Sequence, residues 1–333
     1  MPKKITSIDV AERAGVSQST VSRVFSANSP NVSETARTRV LEAARELGYQ
    51  PNFIARMMST RQTNIIGIVM ANVTSPFYPY VLEKFLQQLQ AIDRQVLLFT
   101  ASAEQSVDDL LPLALQYQVD ALIVTSATLS SAMTATANER GTPVILFNRV
   151  VRDPNVSAVC ADNHAGGRLV ADVLLDTGHE RLAFVSGIDN TSTSQEREQG
   201  FTERLHERDY HTLQRTQGQY TYESGYDATL SLLQQEVRPD AIFCANDIMA
   251  IGAIDAVRVQ GLIVGEDISI IGFDDIPMAG WGAYNLTTIS QEVDSMIQQT
   301  IDLVLRKIET PDSPSTTIRI AGDLVVRSSV KNL

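Results

Sequence analysis

The chain has 333 residues, 44% of them hydrophobic, with 27 Lys or Arg set against 39 Asp or Glu, a net charge of −12. That length accommodates a small head plus a two-lobed body, and the apolar fraction is that of a globular protein. No leader pattern precedes the first helix and no apolar run approaches bilayer length, so a membrane protein is excluded and a cytoplasmic one expected.

The first elements in chain order are two short predicted helices joined by a tight glycine turn: Thr6 to Ala14, Gly15, then Ser17-Gln18-Ser19-Thr20-Val21-Ser22-Arg23-Val24-Phe25. Thr6 followed three residues later by Asp9 fits a capping box, and Ser17 is a good N-cap whose free amides can face a phosphate. Val10, Ala11, Ala14, Val16, Val21 and Val24 are small apolar residues at helical spacing, so the two helices can pack closely. A third helix is predicted from Ser33 to Gly48, with Val40, Leu41, Ala44 and Leu47 inward. The pattern is a helix-turn-helix, whose second helix can enter the DNA major groove and read its donors and acceptors. Gln18 suits adenine and Arg23 suits guanine, with phosphate contact alone the alternative for Arg23.

Charge distribution agrees with a nucleic-acid partner despite the overall acidity. Residues 1–62 carry nine basic against five acidic side chains, or +4, while the other 271 carry 18 against 34, or −16. A basic head is drawn to a polyanion that an acidic body repels. Residues 50–62 form the connection, and Pro51 to Ser59 span only about two helical turns, too short to be stable alone in water.

Beyond residue 62, strands and helices alternate. Ile65 to Met70, Val96 to Phe99, Ala121 to Val124 and Val144 to Phe147 are continuous apolar runs, followed by Leu182 to Val185, Ala241 to Cys244 and Ile268 to Phe273. Runs of this kind are expected for parallel strands buried on both faces, giving two tandem α/β lobes with doubly wound parallel sheets. Ligands in such sheets sit beyond the carboxyl ends of strands, which points to Asn72 to Tyr78, Asn148-Arg149, Asn246-Asp247 and Asp274-Asp275.

Catalysis lacks a foothold. Gly166-Gly167 fits neither a dinucleotide fingerprint nor a phosphate loop and is expected to permit close helix-to-sheet packing; no nucleophile elbow occurs. Asp274 and Asp275, as neighbours leaving a strand, point opposite ways and cannot flank one glycosidic bond. One is expected to accept from a ligand, the other to be structural. Cys160 and Cys244 are expected as buried free thiols, and the four histidines have no zinc spacing, so no metal or cofactor is expected.

Several strings together resemble the LacI/GalR family of bacterial transcription regulators: Asp9-Val10-Ala11-x-x-Ala14-Gly15-Val16-Ser17, Thr20-Val21-Ser22-Arg23-Val24, and Leu47-Gly48-Tyr49-x-Pro51-Asn52-x-x-Ala55-Arg56. Ala245-Asn246-Asp247-x-Met249-Ala250-x-Gly252, Ile271-Gly272-Phe273-Asp274-Asp275 and Leu286-Thr287-Thr288-Ile289 extend the resemblance over nearly the whole chain. It implies a helix-turn-helix head (1–49), a hinge helix and linker (50–62) and a periplasmic-binding-protein-like effector and dimerisation domain (63–333). It further implies a homodimer on pseudo-palindromic operator DNA, most often a repressor, placed at the nucleoid through that DNA. Facing DNA would be Thr6, Ser17, Gln18, Ser19, Thr20, Arg23, Ser33, Asn52, Ala55 and Met58, the last standing where the family usually carries leucine. In the effector site, Phe77, Tyr78 and Tyr220 would be walls and Asn148, Arg149, Arg197, Asn246 and Asp274 polar anchors. Arg197 and Asp274 could instead pair with each other. A monosaccharide or related polyol is the first choice of effector, with Arg149 beside Arg197 keeping a sugar acid or sugar phosphate open.

Overall fold

The computed structural model describes residues 5–25, 32–50, 63–71, 75–101, 107–125, 136–137, 140–151 and 153–333. The expected hinge contacts Asn52, Ala55 and Met58, and the segment 72–74, lie outside them. Contacts divide the chain into Met1–Thr63 and Asn64–Leu333.

In the head, α1 (Ser7–Ala14) starts with the capping box, Thr6 and Asp9 each accepting from the other's backbone amide, and ends at Gly15 in the left-handed conformation. Helix α2 (Gln18–Val24) begins at Ser17, whose Oγ accepts from the Thr20 amide, and α3 (Glu34–Leu47) runs from Ser33 to a left-handed Gly48. Their core is Val10, Ala11, Ala14, Val21, Val24, Val40, Ala43 and Ala44. Leu41 is not part of it: it faces outward, and Ala43, one helical position over from Ala44, takes the inward place.

The body holds two six-stranded sheets, ordered β11-β5-β4-β3-β1-β2 and β12-β10-β9-β8-β6-β7. The first contains β1 (Ile65–Ala71), β2 (Gln95–Ala101), β3 (Ala121–Val124), β4 (Val144–Phe147), β5 (Ser157–Ala161) and β11 (Thr317–Ile320). The second contains β6 (Leu182–Ser186), β7 (Gln214–Gln217), β8 (Ala241–Cys244), β9 (Ser269–Asp274), β10 (Thr287–Ser290) and β12 (Leu324–Val325). All pairings are parallel except β10 with β12. Between the strands run α4 (Phe77–Ala91), α5 (Val107–Gln116), α6 (Asn163–Asp176), α7 (Ser192–Glu207), α8 (Tyr222–Leu233), α9 (Asp247–Val259) and α10 (Val293–Glu309). No helix among the described residues is long and apolar enough to cross a membrane.

The two doubly wound sheets agree with the apolar runs, but the chain passes between lobes three times rather than once. It leaves the first sheet after β5, returns after β10 so that α10 packs on β4 and β5, and leaves again after β11. The crossings are hydrogen-bonded together: the Asp162 amide donates to the Ile320 carbonyl (2.7 Å) and the Ser290 amide to the Asp323 carbonyl (2.8 Å).

The second lobe is packed backbone against backbone. A methyl group on Gly200 of α7 would overlap the His164 carbonyl of α6, and one on Gly167 would overlap the Arg197 carbonyl; Gly166 instead admits the Phe273 ring. Only Gly166 thus makes the expected helix-sheet contact; Gly167 serves a helix-helix one instead, because the α7 backbone passes against it. Gly200→Ala is expected to destabilise the body by about 1–3 kcal/mol through overpacking. Gly282→Ala, where a Cβ meets nothing within 4 Å, should stay within about 0.5 kcal/mol. Urea denaturation of both variants checks this.

Candidate functional site

On the head, α2 buries Val21 and Val24 and leaves Gln18, Ser19, Ser22 and Arg23 exposed. One helix face therefore anchors and the other offers an amide, two hydroxyls and a guanidinium. Ser17 Oγ lies 2.8 Å from Ser19 Oγ and 2.9 Å from Thr20 Oγ1, and Gln18 Nε2 donates to Ser7 Oγ across the turn (3.1 Å). Thr6 and Ser33 are exposed caps of α1 and α3. Ser22 is the outward residue the sequence reading did not single out, although it stands one helical turn from Ser19.

In the body, one narrow cleft with a cavity volume of about 30 Å³ is lined by Ser75, Phe77, Tyr78, Asn148, Arg149, Thr193, Arg197, Tyr220, Asn246 and Asp274. All eight expected effector residues are among them. Each follows the carboxyl end of a strand: β1 for Ser75, Phe77 and Tyr78, β4 for Asn148 and Arg149, β6 for Thr193 and Arg197, β7 for Tyr220, β8 for Asn246 and β9 for Asp274. Ser75 falls in the strand-end segment Asn72 to Tyr78 that the sequence points to, without a role of its own there; Thr193 has no such signal short of its place in the first turn of α7 after β6.

Arg197 and Asp274 pair with each other and also line the cleft, so the two readings are not exclusive. Arg197 is 2% exposed: Nε donates to Asn163 Oδ1 (2.9 Å), Nη1 to the Ala245 carbonyl, Nη2 meets Asp274 Oδ1 (3.2 Å), and its guanidinium lies 3.6 Å from the Phe273 ring centroid. Asp274 Oδ1 also accepts from Gln291 Nε2 (2.6 Å), which leaves Oδ2 as the oxygen for a ligand. Burial raises the Asp274 pKa, while Arg197, Gln291 and Arg149 act to lower it. Asp275 turns away to Arg327 (2.8 Å) and is structural.

Asn148 is 3% exposed, and its Oδ1 has no hydrogen-bond partner. An orphaned buried acceptor costs about 1–3 kcal/mol unless something donates to it. Asn148, Tyr220 and Asp274 also hold φ of 58°, 59° and 125°, a concentration of backbone strain of the kind found at ligand sites. The Tyr220 ring stacks so closely over Gly187 that a methyl there would overlap it, and its hydroxyl lies 3.1 Å from Thr193 Oγ1. Asn246 spends Oδ1 on capping α9, accepting from the Met249 amide (3.1 Å).

Arg149 reaches across the cleft. It comes from the first lobe, yet Nη1 donates to Thr193 Oγ1 of the second (2.6 Å) as well as to the Asn148 carbonyl (3.1 Å). Beside it the Val150 amide donates to Ser192 Oγ (3.2 Å), and on the flank Arg319 of β11 holds Glu196 of α7 in a two-bond fork of 2.9 and 2.7 Å. The cleft is thus bridged from lobe to lobe.

A head that presents a recognition helix and a two-lobed body with a polar cleft between its sheets define a DNA-binding regulator with an effector domain. Residues 7–52 match the family model described as bacterial regulatory proteins, lacI family, and residues 171–330 match the periplasmic binding protein-like domain. The chain is 29% identical to the probable HTH-type transcriptional repressor ExuR of Bacillus subtilis (strain 168), covering 99% of each. It is 31% identical to the HTH-type transcriptional repressor PurR of Haemophilus influenzae (strain PittEE), covering 98% of each. Among solved structures it resembles the lac repressor dimer bound to operator and the anti-inducer ONPF, with a TM-score of 0.86 and 26% identity over 99% of this chain and 100% of that one. A CelR–cellobiose complex matches with a TM-score of 0.72 and 29% identity over 98% and 99%. The chain belongs to the LacI family; it is a DNA-binding transcriptional repressor with an effector domain, not an enzyme.

Behind the cleft, Asp247 is wholly buried, accepting from Thr288 Oγ1 (2.6 Å) and the Ile276 amide (2.9 Å). Burial, and then the neighbouring Asp274 charge, push its pKa up to about 7, against the pull of those two donors. A carboxyl that folding makes harder to ionise stabilises the fold below its unfolded pKa and loses that contribution as pH rises through the folded value. The wild type is therefore expected to lose stability between about pH 4 and pH 7. Asp247→Asn should lack that slope, as denaturation midpoints at each pH would show.

Proposed function

We propose that the chain works as a homodimer on a pseudo-palindromic operator, with a sugar or related polyol in the cleft setting its DNA affinity. The observation that carries the reading is the chemistry of that cleft: an unpartnered buried amide oxygen on Asn148 and the carboxylate of Asp274, lined also by the aromatic residues Phe77, Tyr78 and Tyr220. Hydroxyl groups donate to the oxygens while ring CH surface packs on the aromatics. The CelR–cellobiose complex, and a LacI-family regulator of Enterococcus faecium with bound ribose that is 26% identical with a TM-score of 0.74 over 81% of this chain and 99% of that one, support this class of ligand.

The mechanism is linkage. Effector held from both lobes favours one degree of closure, operator held by paired heads and hinges favours one arrangement of the dimer, and whatever factor one applies to the other is returned. In this reading Gln18, Ser19 and Arg23 contact base edges, while Thr6, Ser17, Thr20 and Ser33 position the head on phosphates. Asn52, Ala55 and Met58 act in a hinge that folds on the operator, with Ala55 allowing close approach of two hinges and Met58 wedging into the minor groove.

Binding-site selection on randomised operators tests the base readout. Gln18→Ala or Arg23→Ala is expected to relax preference at one base pair per half-site, worth about 1–3 kcal/mol. Unchanged preference in both would remove them from the reading face.

Dimerisation is supported by large apolar side chains left exposed on the second lobe, among them Val259 (67%), Ile263 (53%) and Trp281 (55%). Arg258, which donates to the Ala283 carbonyl, ties the end of α9 to the turn that carries Trp281. Trp281→Asp is expected to yield monomers in sedimentation and to weaken operator binding, since each head then binds its half-site alone. A dimer of unaltered affinity would place the interface elsewhere.

A further inference from the structure

The lining of the cleft carries an excess of positive charge, Arg149 and Arg197 against the single carboxylate of Asp274, whose charge both arginines feel. Asp274, its one carboxylate among the lining residues, is already matched by Arg197. Arg149 is left over: among the described residues its guanidinium pairs with no carboxylate, and its acceptors are a threonine hydroxyl and its own neighbour's carbonyl, both neutral. A half-buried cation served only by neutral groups is costly unless a counter-charge arrives. In a body of net charge −16 the cleft is a local exception.

Helix ends reinforce it. Ser75, Phe77 and Tyr78 bring the first turn of α4 to the cleft, Thr193 the first turn of α7, and Asn246 caps α9. Helix α9 answers its own positive end with Asp247. The other two do not: neither α4 nor α7 has an acidic residue in its first turn, and the Pro76 cap of α4 supplies no side-chain acceptor. Two helix N-termini without acidic first turns, that of α4 uncapped and that of α7 capped only by the neutral Thr191 hydroxyl, converge with the excess guanidinium on one cleft, and both features favour an anion.

We infer that the effector carries an acidic group, a carboxylate or phosphate, that seats on Arg149, while its hydroxyls meet Asn148 Oδ1 and Asp274 Oδ2. The inference rests on the cleft being the effector site and narrows the ligand from polyols in general to sugar acids or sugar phosphates. Planar guanidinium geometry matches the two oxygens of a carboxylate or phosphate, a fit that a neutral hydroxyl cannot reproduce. Since Arg149 already bonds Thr193 of the opposite lobe, the same anion draws the lobes together.

The test is calorimetric titration of the full-length protein with D-glucose and D-galactose, their uronates and aldonates, their 6-phosphates, and hypoxanthine as a ring without hydroxyls. An acid is expected to bind at least about tenfold more tightly than its neutral parent, and its advantage should shrink as salt rises. Carboxylate and phosphate arms identify the group. Arg149→Gln, checked for folding by its operator binding without effector, should reduce the advantage to within about threefold. The inference is overturned if a neutral sugar binds as tightly as its acids, if no acid binds, or if Arg149→Gln keeps the preference. Tight binding of a neutral sugar leaves the polyol reading standing, whereas binding of hypoxanthine alone defeats that reading as well.

Discussion

The guanidinium of Arg197 is the contact around which the effector domain is arranged. Fully buried, it gathers Asn163 from α6, the carbonyl that ends β8, the carboxylate that ends β9 and the face of Phe273. A buried ion pair adds little net stability over an apolar pair of the same shape, but removing one partner costs about 3–5 kcal/mol because the other is stranded. The arrangement therefore fixes positions more than it strengthens the fold. Lysine could not replace it, since a single ammonium lacks the planar fork that meets three acceptors and a ring together. Asp274 enters the cleft already aimed, so a ligand spends little on organising it.

Two kinds of arginine result, and the contrast organises the cleft. Arg197 is bound by the protein's own core and is part of its architecture. Arg149 is half-buried, held by neutral groups and shared between lobes. Through Arg197 runs a continuous set of contacts: Arg319 to Glu196, Glu196 to Asn163 (3.4 Å), Asn163 to Arg197, Arg197 to Asp274, and Asp274 to Gln291. Gln291 lies on the second crossing between lobes, and its buried Oε1 has no partner. Occupancy at Asp274 and the setting of the crossing are thus adjacent in one hydrogen-bonded network.

Much of this was legible from residue types alone. The caps Thr6, Ser17 and Ser33 and the left-handed Gly15 and Gly48 follow from local chemistry that tertiary contacts do not override. The apolar runs yielded β1, β3, β4, β6, β8 and β9 because strands buried on both faces must be continuously apolar. Strand β7, Gln-Arg-Thr-Gln, gave no such signal since it is an edge strand with two exposed residues. Strands β11 and β12 are short and half-exposed, and their pairing with segments far away in sequence is not a local property. The cleft's lining was readable from strand ends together with the family resemblance. Its supports were not: Asn163 and Gln291 matter through partners 34 and 17 residues away.

The threefold passage between lobes bears on how the chain is made. The head and the second sheet's parallel strands are built from segments that leave the ribosome in order, but the first sheet is completed by β11, whose partner β5 lies some 160 residues earlier. Helix α10, which covers β4 and β5, also comes late. During synthesis the apolar edge and face of the first lobe therefore wait uncovered until α10 and β11 emerge, while the small head can fold early. A hinge made of three strands of chain therefore goes with a long interval of exposed sheet, a property of the topology rather than of any single residue.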